Sequence, residues 1–297
     1  HGRTPPCADA LITGGVKRVI AALQDPNPAV AGRGFRKLQD AGIEVQTGLM
    51  AEPARELNIG FYSRMARGIP WTRSKIAASF DGRTALNNGT SKWITGEAAR
   101  ADVQRWRARS CAVMTGIGTV LADDPQLDVR AGDCDPQPLR VVVDSHLRMP
   151  AAARVLHCAS ARNTGKPART MIYTAVQDAG KIASLEQAGA EVAIMPNAEG
   201  RVDLAEMLRD LARRGCNEVL VEGGAGLNGA LLQAGLLDEL VVYFAPMLLG
   251  DGARGMAQLG ELIRLEQRFD LKWQDVRQIG NDLRIIARPC SAASSRQ

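Results

Sequence analysis

The sequence predicts an α/β fold with a mixed, mostly parallel sheet, and three features of the chain lead to that prediction. Residues 218–232 run from an apolar, β-branched segment through a glycine-rich turn into helical apolar spacing that stops at Gly235. Short apolar runs also alternate with helical stretches along most of the chain. Finally, residues 269–278 and 282–287 flank Gly280-Asn281 as a hairpin would, and this antiparallel ending argues against a plain doubly wound sheet.

The first 67 residues read as alternating short elements. Their patterns predict a helix over 7–13, a buried strand over 16–23, a helix over 35–41, a strand over 43–46 and a longer helix over 52–67. Asp25-Pro26-Asn27-Pro28 is a loop, because proline fixes φ and removes a backbone donor. Gly68-Ile69-Pro70 then ends the last helix and forms a hinge.

The pattern restarts after this hinge, with a strand over 72–80, a turn over 81–83 and a helix that Thr95 caps and that runs to about Arg109. The later elements are a helix over 202–214 and strands over 111–115, 140–144, 170–174, 191–195, 218–222 and 240–244. Polar loops are expected over 122–125, 136–138, 159–167 and 250–255. A chain of 297 residues has room for two domains of ~100–200 residues. We place them at 1–67 and 70–290, followed by a disordered tail over 291–297.

Composition limits the classes of function. No apolar run approaches the ~20 residues of a membrane span. The chain starts at His1 without a signal peptide, so we read it as a fragment or a trimmed chain of a cytoplasmic protein. Its six cysteines lack paired spacing, which favours reduced thiols. A net charge of +5 suits an anionic partner, but an aromatic content of 4% favours phosphorylated small molecules over nucleic acid.

The glycine motif is the strongest indication of chemistry. Gly224, Gly226 and Gly229 fit G-x-G-x-x-G between a strand and a helix, where free helix N–H groups can face a pyrophosphate. The alternative is a tight strand-to-helix turn with close packing. A Rossmann fingerprint normally opens its domain, whereas this one comes late in the chain. The motif therefore predicts a dinucleotide bound on another fold.

Other candidates allow two interpretations each. Cys7 begins a helix after two prolines, which suits a zinc-binding thiolate or an unligated cysteine at a helix cap. Trp93 is placed to stack on a ring or to plug the domain edge, and Arg107 reads as a solvated arginine near a helix end. Glu222 ends a buried strand, where a carboxylate is more often functional than structural. The polar loop region that follows the 111–115 strand contributes Thr119, Asp123, Asp124, Leu127 and Arg130.

Several ordered motifs closely resemble the bifunctional deaminase/reductase family of riboflavin biosynthesis, over nearly the whole chain. They lie at 1–7, 25–28, 31–34, 75–84, 91–95, 120–125, 143–145, 222–232 and 250–255. The resemblance implies that residues 1–67 are the second half of a cytidine-deaminase-like domain. It also implies that residues from about 70 form a reductase domain similar in fold to dihydrofolate reductase.

The same resemblance assigns site residues. The implied NADPH contacts are Ala77, Trp93, Thr119, Asp123, Ser145, Gly224, Ala225, Gly226, Leu227, Asn228, Gly229 and Ala230. The implied substrate contacts are Ser91, Arg107, Leu127, Arg130 and Glu222, with arginine forks suited to a sugar phosphate. Cys7 matches the last zinc ligand of the deaminase. The other two ligands and the catalytic glutamate would precede His1, so we expect this chain alone not to deaminate.

The implied reaction is NADPH-dependent reduction of 5-amino-6-(5-phosphoribosylamino)uracil to its ribitylamino phosphate, with hydride passing to C1 of the open-chain sugar. Glu222 or a bound water serves as proton donor, and relatives are expected to be homodimers through the reductase domain. Two alternatives stay open: another pteridine- or pyrimidine-directed reductase of the same fold, and an inactive fragment. Neither a membrane nor a nucleic acid is expected as a partner.

Overall fold

The computed structural model describes residues 7–130, 136–157 and 169–290. The chain divides into two compact units, residues 1–71 and 72–297. The predicted loop over 159–167, the predicted tail over 291–297 and the first six residues of the N-terminal motif lie outside the described residues.

The N-terminal unit is a small α/β assembly. Its elements are α1 (Cys7–Thr13), β1 (Arg18–Ala21), α2 (Arg33–Asp40), β2 (Glu44–Thr47), α3 (Ala51–Leu57) and α4 (Ile59–Arg67). Strands β1 and β2 pair in parallel. Ala8, Leu38 and Ile43 form the centre of its apolar core, against which Val19 and Val45 pack.

Two predictions for this unit were wrong in detail. The strand predicted over 16–23 is shorter and is not buried. Val19 faces the core, but Ile20 points to the other face of the sheet, which has two strands among the described residues, and is 54% exposed. The long helix predicted over 52–67 is two helices, because the backbone at Asn58 leaves the helical region with φ of −116°.

The second unit is built around a nine-stranded sheet. Its strands and helices are β3 (Trp71–Ser79), β4 (Arg83–Ala85), α5 (Glu97–Arg109), β5 (Ala112–Gly116), α6 (Ile117–Asp123), β6 (Leu139–Val143), β7 (Thr170–Thr174), α7 (Ala179–Gln187), β8 (Ala190–Ile194), α8 (Leu204–Arg213), β9 (Glu218–Val221), α9 (Ala225–Gln233), β10 (Glu239–Ala245), β11 (Arg254–Gly255), β12 (Leu271–Ile279) and β13 (Asp282–Pro289).

The strand order across the large sheet is β12-β13-β10-β3-β9-β5-β6-β7-β8. Pairs β10–β3, β9–β5, β5–β6, β6–β7 and β7–β8 are parallel, whereas β13 runs antiparallel to β10 and β12 antiparallel to β13. The prediction of a mixed, mostly parallel sheet with a final hairpin is therefore confirmed. Gly280 makes the tight turn of that hairpin at φ of 62°, a conformation that glycine adopts without strain.

Helix α5 is fixed to the sheet by packing and by buried polar contacts. Val103 packs against Val241 and Tyr243 of β10. The Tyr243 hydroxyl donates to Asp102 (2.6 Å) and accepts from the Trp106 indole N–H (3.0 Å). Arg284 of β13 donates to the same Asp102 carboxylate (2.8 Å). These hydrogen bonds satisfy the buried Tyr243 hydroxyl and the Asp102 carboxylate together. They therefore give the C-terminal half of α5 a defined position against the sheet.

The start of α5 differs from the prediction. The helix begins at Glu97, and the N-cap is Gly96 rather than Thr95. The Gly96 N–H donates to the Asp282 carboxylate (2.7 Å), so a residue of the distant hairpin satisfies the helix end and no local side chain does. Helices α6 and α7 were not predicted. No helix among the described residues is both long and apolar enough to cross a membrane.

The third glycine of the motif allows a close backbone approach. Gly229 is buried in α9, and a Cβ there would lie 2.0 Å from the carbonyl oxygen of Gln258. The Gln258 N–H donates to the carbonyl of Ala225 (2.9 Å), which ties the same segment to the start of α9. The close-packing interpretation of the motif therefore applies to Gly229.

We expect Gly229→Ala to lower the free energy of unfolding by about 3 kcal/mol, because the added methyl group must displace backbone. The measurement is urea or thermal unfolding. Gly118→Ala in α6 is the matched control: nothing lies within 4 Å of its added Cβ, so it should stabilise by about 0.5–1 kcal/mol. Equal stability of the two variants would contradict the close approach.

Candidate active site

The predicted site residues gather where the strand order of the sheet reverses. Glu222 directly follows β9, Thr119 lies in the helix that follows β5, and Ser145 lies just beyond β6, and these three strands are parallel neighbours. Strand β9 returns between β3 and β5 after the chain has built the sheet outwards to β8. In open α/β sheets, ligands bind outside the carboxyl ends of the strands at such a reversal.

Arg107 and Glu222 form the central contact of this edge. The Arg107 Nε and Nη2 groups donate to the two oxygens of the Glu222 carboxylate, at 2.5 and 3.0 Å. Arg107 Nη1 donates to the carbonyl oxygen of Asp128 (2.8 Å). Arg107 is buried, at 8% exposure, so its interpretation as a solvated arginine was wrong: the last turn of α5 faces the site.

The backbone around Glu222 is held as firmly as its side chain. Its N–H donates to the carbonyl of Met114 (2.8 Å), and its own carbonyl accepts from the Thr115 hydroxyl (2.7 Å). Both partners belong to β5, so the carboxylate is fixed relative to two neighbouring strands.

Charges at the site determine which groups are ionised. Burial raises the pKa of Glu222, but the adjacent Arg107 outweighs it, with Lys75 and Arg130 adding to the effect, and the pKa falls to about 2. Burial lowers the pKa of Lys75, and the Glu222 charge opposes that shift only in part. At neutral pH, Glu222 is therefore an anion and a poor proton donor, whereas the Lys75 ammonium releases its proton more readily than an exposed lysine does.

Sequence reasoning missed Lys75. It lies in the middle of β3 and, by strand alternation, on the same face as Ala77, the predicted cofactor contact. The only signal available was a lysine inside an otherwise mostly buried strand, which on its own does not distinguish a functional amine from one that reaches solvent.

The start of α9 is open to a ligand. Gly224 is the N-cap in an extended conformation, and no side chain among the described residues caps this helix. Gly224 and Gly226 are exposed. A Cβ at Gly224 would lie 3.8 Å from the Thr119 hydroxyl oxygen, so two predicted cofactor contacts are neighbours. An uncapped helix start beside a hydroxyl fits a phosphate group.

Asn228, another predicted cofactor contact, has its side chain inside the protein. Its side chain is 1% exposed, accepts from the Ser74 hydroxyl (2.8 Å) and donates to the carbonyl of Met256 (3.0 Å). Asn228 and Gly229 are thus directed into the protein, where they hold α9 against its neighbours. Gly224 to Leu227 remain at the accessible helix start, with Ala230 partly exposed beyond them.

The segment before α5 and helix α6 form a second part of the site. Lys92 Nζ lies 3.4 Å from an Asp123 carboxylate oxygen, which brings the loop that contains Ser91 and Trp93 to α6. The Trp93 ring is 69% exposed, with the Arg100 guanidinium 4.6 Å from its centroid. A ring this exposed does not plug the domain edge. Asp124, by contrast, accepts from the backbone N–H of Arg154 (2.8 Å) and is a loop contact.

Two predicted substrate residues lie on the segment that follows α6. Leu127 is 2% exposed, in the left-handed region at φ of 55°. The Arg130 side chain is 63% exposed, and its Nε lies 3.7 Å from the Asp128 carboxylate. The structure thus anchors Leu127 in the interior and leaves Arg130 accessible beside the Arg107–Glu222 pair.

Cys7 does not form a metal site by itself. It is exposed at the first residue of α1. Among the residues that the structure describes, no three His, Cys, Asp or Glu side chains are grouped as metal ligands. The residues present therefore do not fit a zinc ion, and no reaction step is assigned to one.

Comparison with known proteins identifies the family. Residues 70–285 match the model of the RibD C-terminal domain. The sequence is 43% identical to the riboflavin biosynthesis protein RibD of Escherichia coli (strain K12), over 95% of this chain and 77% of that protein. The chain belongs to the RibD family. Residues 70–285 are accordingly a RibD-type reductase domain of riboflavin biosynthesis, so the chain is an enzyme of the reductase class.

Solved RibD structures agree with this assignment. RibD of Acinetobacter baumannii matches with a TM-score of 0.86 at 41% identity, covering 98% of this chain and 78% of that chain. A Thermotoga maritima structure, named a diaminohydroxyphosphoribosylaminopyrimidine deaminase/5-amino-6-(5-phosphoribosylamino)uracil reductase, matches with a TM-score of 0.81 at 30% identity, covering 98% and 76%.

We expect Glu222→Gln to cost about 3 kcal/mol of folding stability at pH 7, because it leaves Arg107 buried without its charge partner. The native pKa of Glu222, about 2, lies below the ~4.3 of an unfolded glutamate. The stabilisation is therefore complete above about pH 5 and is lost as pH falls towards 2.

The measurement is urea unfolding of both proteins between pH 2.5 and 7, and the difference in stability should shrink only on the acid side. Glu199→Gln, on an exposed turn, is the control and should change stability by less than about 0.5 kcal/mol. A difference between wild type and Glu222→Gln that does not vary with pH would contradict the ion pair.

Proposed function

We propose that residues 70–290 catalyse the NADPH-dependent reduction of 5-amino-6-(5-phosphoribosylamino)uracil to its ribitylamino phosphate. The observation that carries the proposal is a cluster of Lys75, Arg107, Arg130 and Glu222 at the sheet edge that also holds the open start of α9. The Thermotoga maritima relative carries the name of this reductase. We therefore assign the site for an anionic cofactor and the cationic site for a phosphorylated substrate to the same sheet edge.

The cofactor half of the proposal rests on α9 and its neighbours. Backbone N–H groups of Gly224 to Leu227 would hold the NADPH phosphates, since no side chain in the described part of the chain caps them. Thr119 lies beside Gly224, and Trp93 offers an exposed ring face. The other proposed contacts are Ala77, Asp123, Ser145 and Ala230. Asn228 and Gly229 would support this helix from inside.

The substrate half rests on the segment after α6. Arg130 is accessible and would hold the 5-phosphate, for which a guanidinium fork is well suited. Ser91 and Leu127 would line the same pocket. Arg107 already donates to Glu222 and to the Asp128 carbonyl, so we assign it the orientation of that carboxylate and of the segment, and we do not assign it a phosphate contact.

The chemistry needs one hydride and one proton. NADPH, when bound, supplies the hydride that adds to C1 of the open-chain, imine-like sugar. The adjacent nitrogen must gain a proton as the C=N bond becomes C–N. We assign that proton to the Lys75 ammonium, because burial lowers its pKa and Glu222 is ionised and cannot donate one at neutral pH. Glu222 would keep its negative charge and orient the substrate.

We propose three further properties of the protein, each supported by its membership of the RibD family. We infer that residues 1–67 belong to a zinc deaminase-like domain and that Cys7 is one of the residues that domain would use as a zinc ligand. The protein would work in the cytoplasm. It would form a homodimer through the reductase domain, where the edge strand β12 exposes Trp273 (62%) and Val276 (54%).

The purified chain should oxidise NADPH when it is mixed with 5-amino-6-(5-phosphoribosylamino)uracil. The fall in the absorbance of the reduced nicotinamide should correspond to one NADPH consumed for each product molecule formed. Dihydrofolate in place of that substrate is the control and should cause no fall. If the chain reduces dihydrofolate but not the uracil substrate, the site belongs to a different type of reductase with this fold.

We expect Lys75→Met to reduce kcat by about 10²–10⁴-fold, with a smaller effect on KM. The wild-type kcat should fall on the alkaline side as Lys75 loses its proton, at a pH below the ~10.4 of an exposed lysine. This alkaline limb should be absent from the residual activity of the variant. Lys181→Met, on exposed α7, is the control and should retain both kcat and the limb. If the pH profile of Lys75→Met keeps the same fall in kcat at alkaline pH, Lys75 is not the proton donor.

A further inference from the structure

The segment from Leu127 to Arg130 has no regular secondary structure, yet side chains hold the backbone of its last three residues. The Leu127 side chain is part of an apolar core cluster, together with Val113 and Val142. Its backbone has a positive φ of 55°, which costs a non-glycine residue about 1–2 kcal/mol and persists only where surrounding contacts enforce it. The segment is therefore constrained in one conformation.

Three side chains, two of them on α5, supply contacts to this backbone. Arg107 donates to the carbonyl of Asp128 (2.8 Å). The amide of Gln137 pairs with both backbone groups of Val129: its oxygen accepts from the N–H (2.8 Å) and its nitrogen donates to the carbonyl (3.1 Å). Gln104 of α5 accepts from the N–H of Arg130 (2.9 Å). The Gln137 amide thus satisfies Val129 as a neighbouring strand would.

This arrangement fixes the backbone of Arg130 while its side chain stays accessible. Arginine loses about 2 kcal/mol of rotamer freedom when it is immobilised, so a disordered backbone beneath it would add to the cost of binding an anion. Neighbouring charges also orient it: the Asp128 carboxylate lies 3.7 Å from its Nε, and the positive charge of Arg130 acts on Glu222. The Arg130 guanidinium therefore lies near enough to the Arg107–Glu222 pair to help lower the pKa of Glu222.

We propose that Gln137 is a positioning residue for substrate binding: its amide holds Val129 so that Arg130 presents its guanidinium to the substrate phosphate. The inference rests on the proposed function, because it needs a phosphorylated substrate at Arg130. Gln104 is a second positioning residue, because its side-chain oxygen accepts a hydrogen bond from the N–H of Arg130 itself. Neither glutamine touches the substrate.

Gln137→Met tests this proposal, because methionine keeps the length of the side chain and removes both hydrogen bonds to Val129. We expect KM for the phosphorylated substrate to rise roughly tenfold. The kcat and the KM for NADPH should stay within about twofold. Gln187→Met, exposed at the end of α7, is the matched control and should leave all three constants unchanged.

A double-mutant cycle separates positioning from a general loss of structure. In an Arg130→Ala background, Gln137→Met should raise KM no further, because the arginine that it positions is gone. With the dephosphorylated substrate, Gln137→Met should likewise have no effect. Gln137→Glu keeps the acceptor for the Val129 N–H and loses the donor, so its KM should lie between wild type and Gln137→Met.

Several results would overturn the inference. One is an unchanged KM in Gln137→Met with Arg130 present, and another is a full tenfold rise in the Arg130→Ala background. If Gln137→Met does not fold, Gln104→Met takes its place in the same cycle with the same expected result. Absence of turnover by the wild-type chain is a distinct outcome: the proposed function then fails, and this inference fails with it.

Discussion

The buried contact between Arg107 and Glu222 determines the geometry of the site. A single guanidinium joins the last turn of α5, the end of β9 and the carbonyl of Asp128. Removing two charges from water costs several kcal/mol per ion, and their attraction often does no more than balance that cost. Such a pair is therefore weak evidence for stability. Its effect here is to fix three chain segments relative to one another.

Other contacts hold the segments that this pair joins. Helix α5 has its orientation because Asp102 and Trp106 bind Tyr243 of the neighbouring strand. The segment after α6 has its path because it meets the last turn of α5. The ionised Glu222 in turn keeps Lys75 in an environment where burial and a nearby anion oppose each other. A substitution of Glu222 or Lys75 therefore alters both the charge balance and the shape of the site.

Much of the fold could be predicted from the sequence, because hydrophobic periodicity and turn residues are local signals. The strand over 170–174, the helix over 7–13 and the final hairpin were predicted within a residue or two. Features that depend on distant partners were not predictable. The helix begins one residue after the predicted cap Thr95, because Gly96 binds Asp282, and Ile20 is exposed on the face of its sheet that no described residue covers.

The site was predictable to a smaller extent. The glycine motif and the polar residues after strands were visible, since their spacing carries information. Lys75 and Gln137 were not, because a lysine in a strand or a glutamine after a loop has no distinguishing sequence pattern. The role of each residue depends on which groups the fold places next to its side chain. Arg107 was misread for the same reason: the position of a residue near a helix end does not say which way that end faces.

The open start of α9 has a consequence for how this protein responds to its solution. A helix terminus that lacks a cap within the described residues is satisfied by water, and any oxyanion of suitable size can replace that water. Sulfate or inorganic phosphate that binds the native state alone raises the melting temperature according to its concentration. A buffer anion would thus compete for the position at which we propose that the cofactor phosphates bind, and an apparent affinity for the cofactor would change with the buffer in which it is measured.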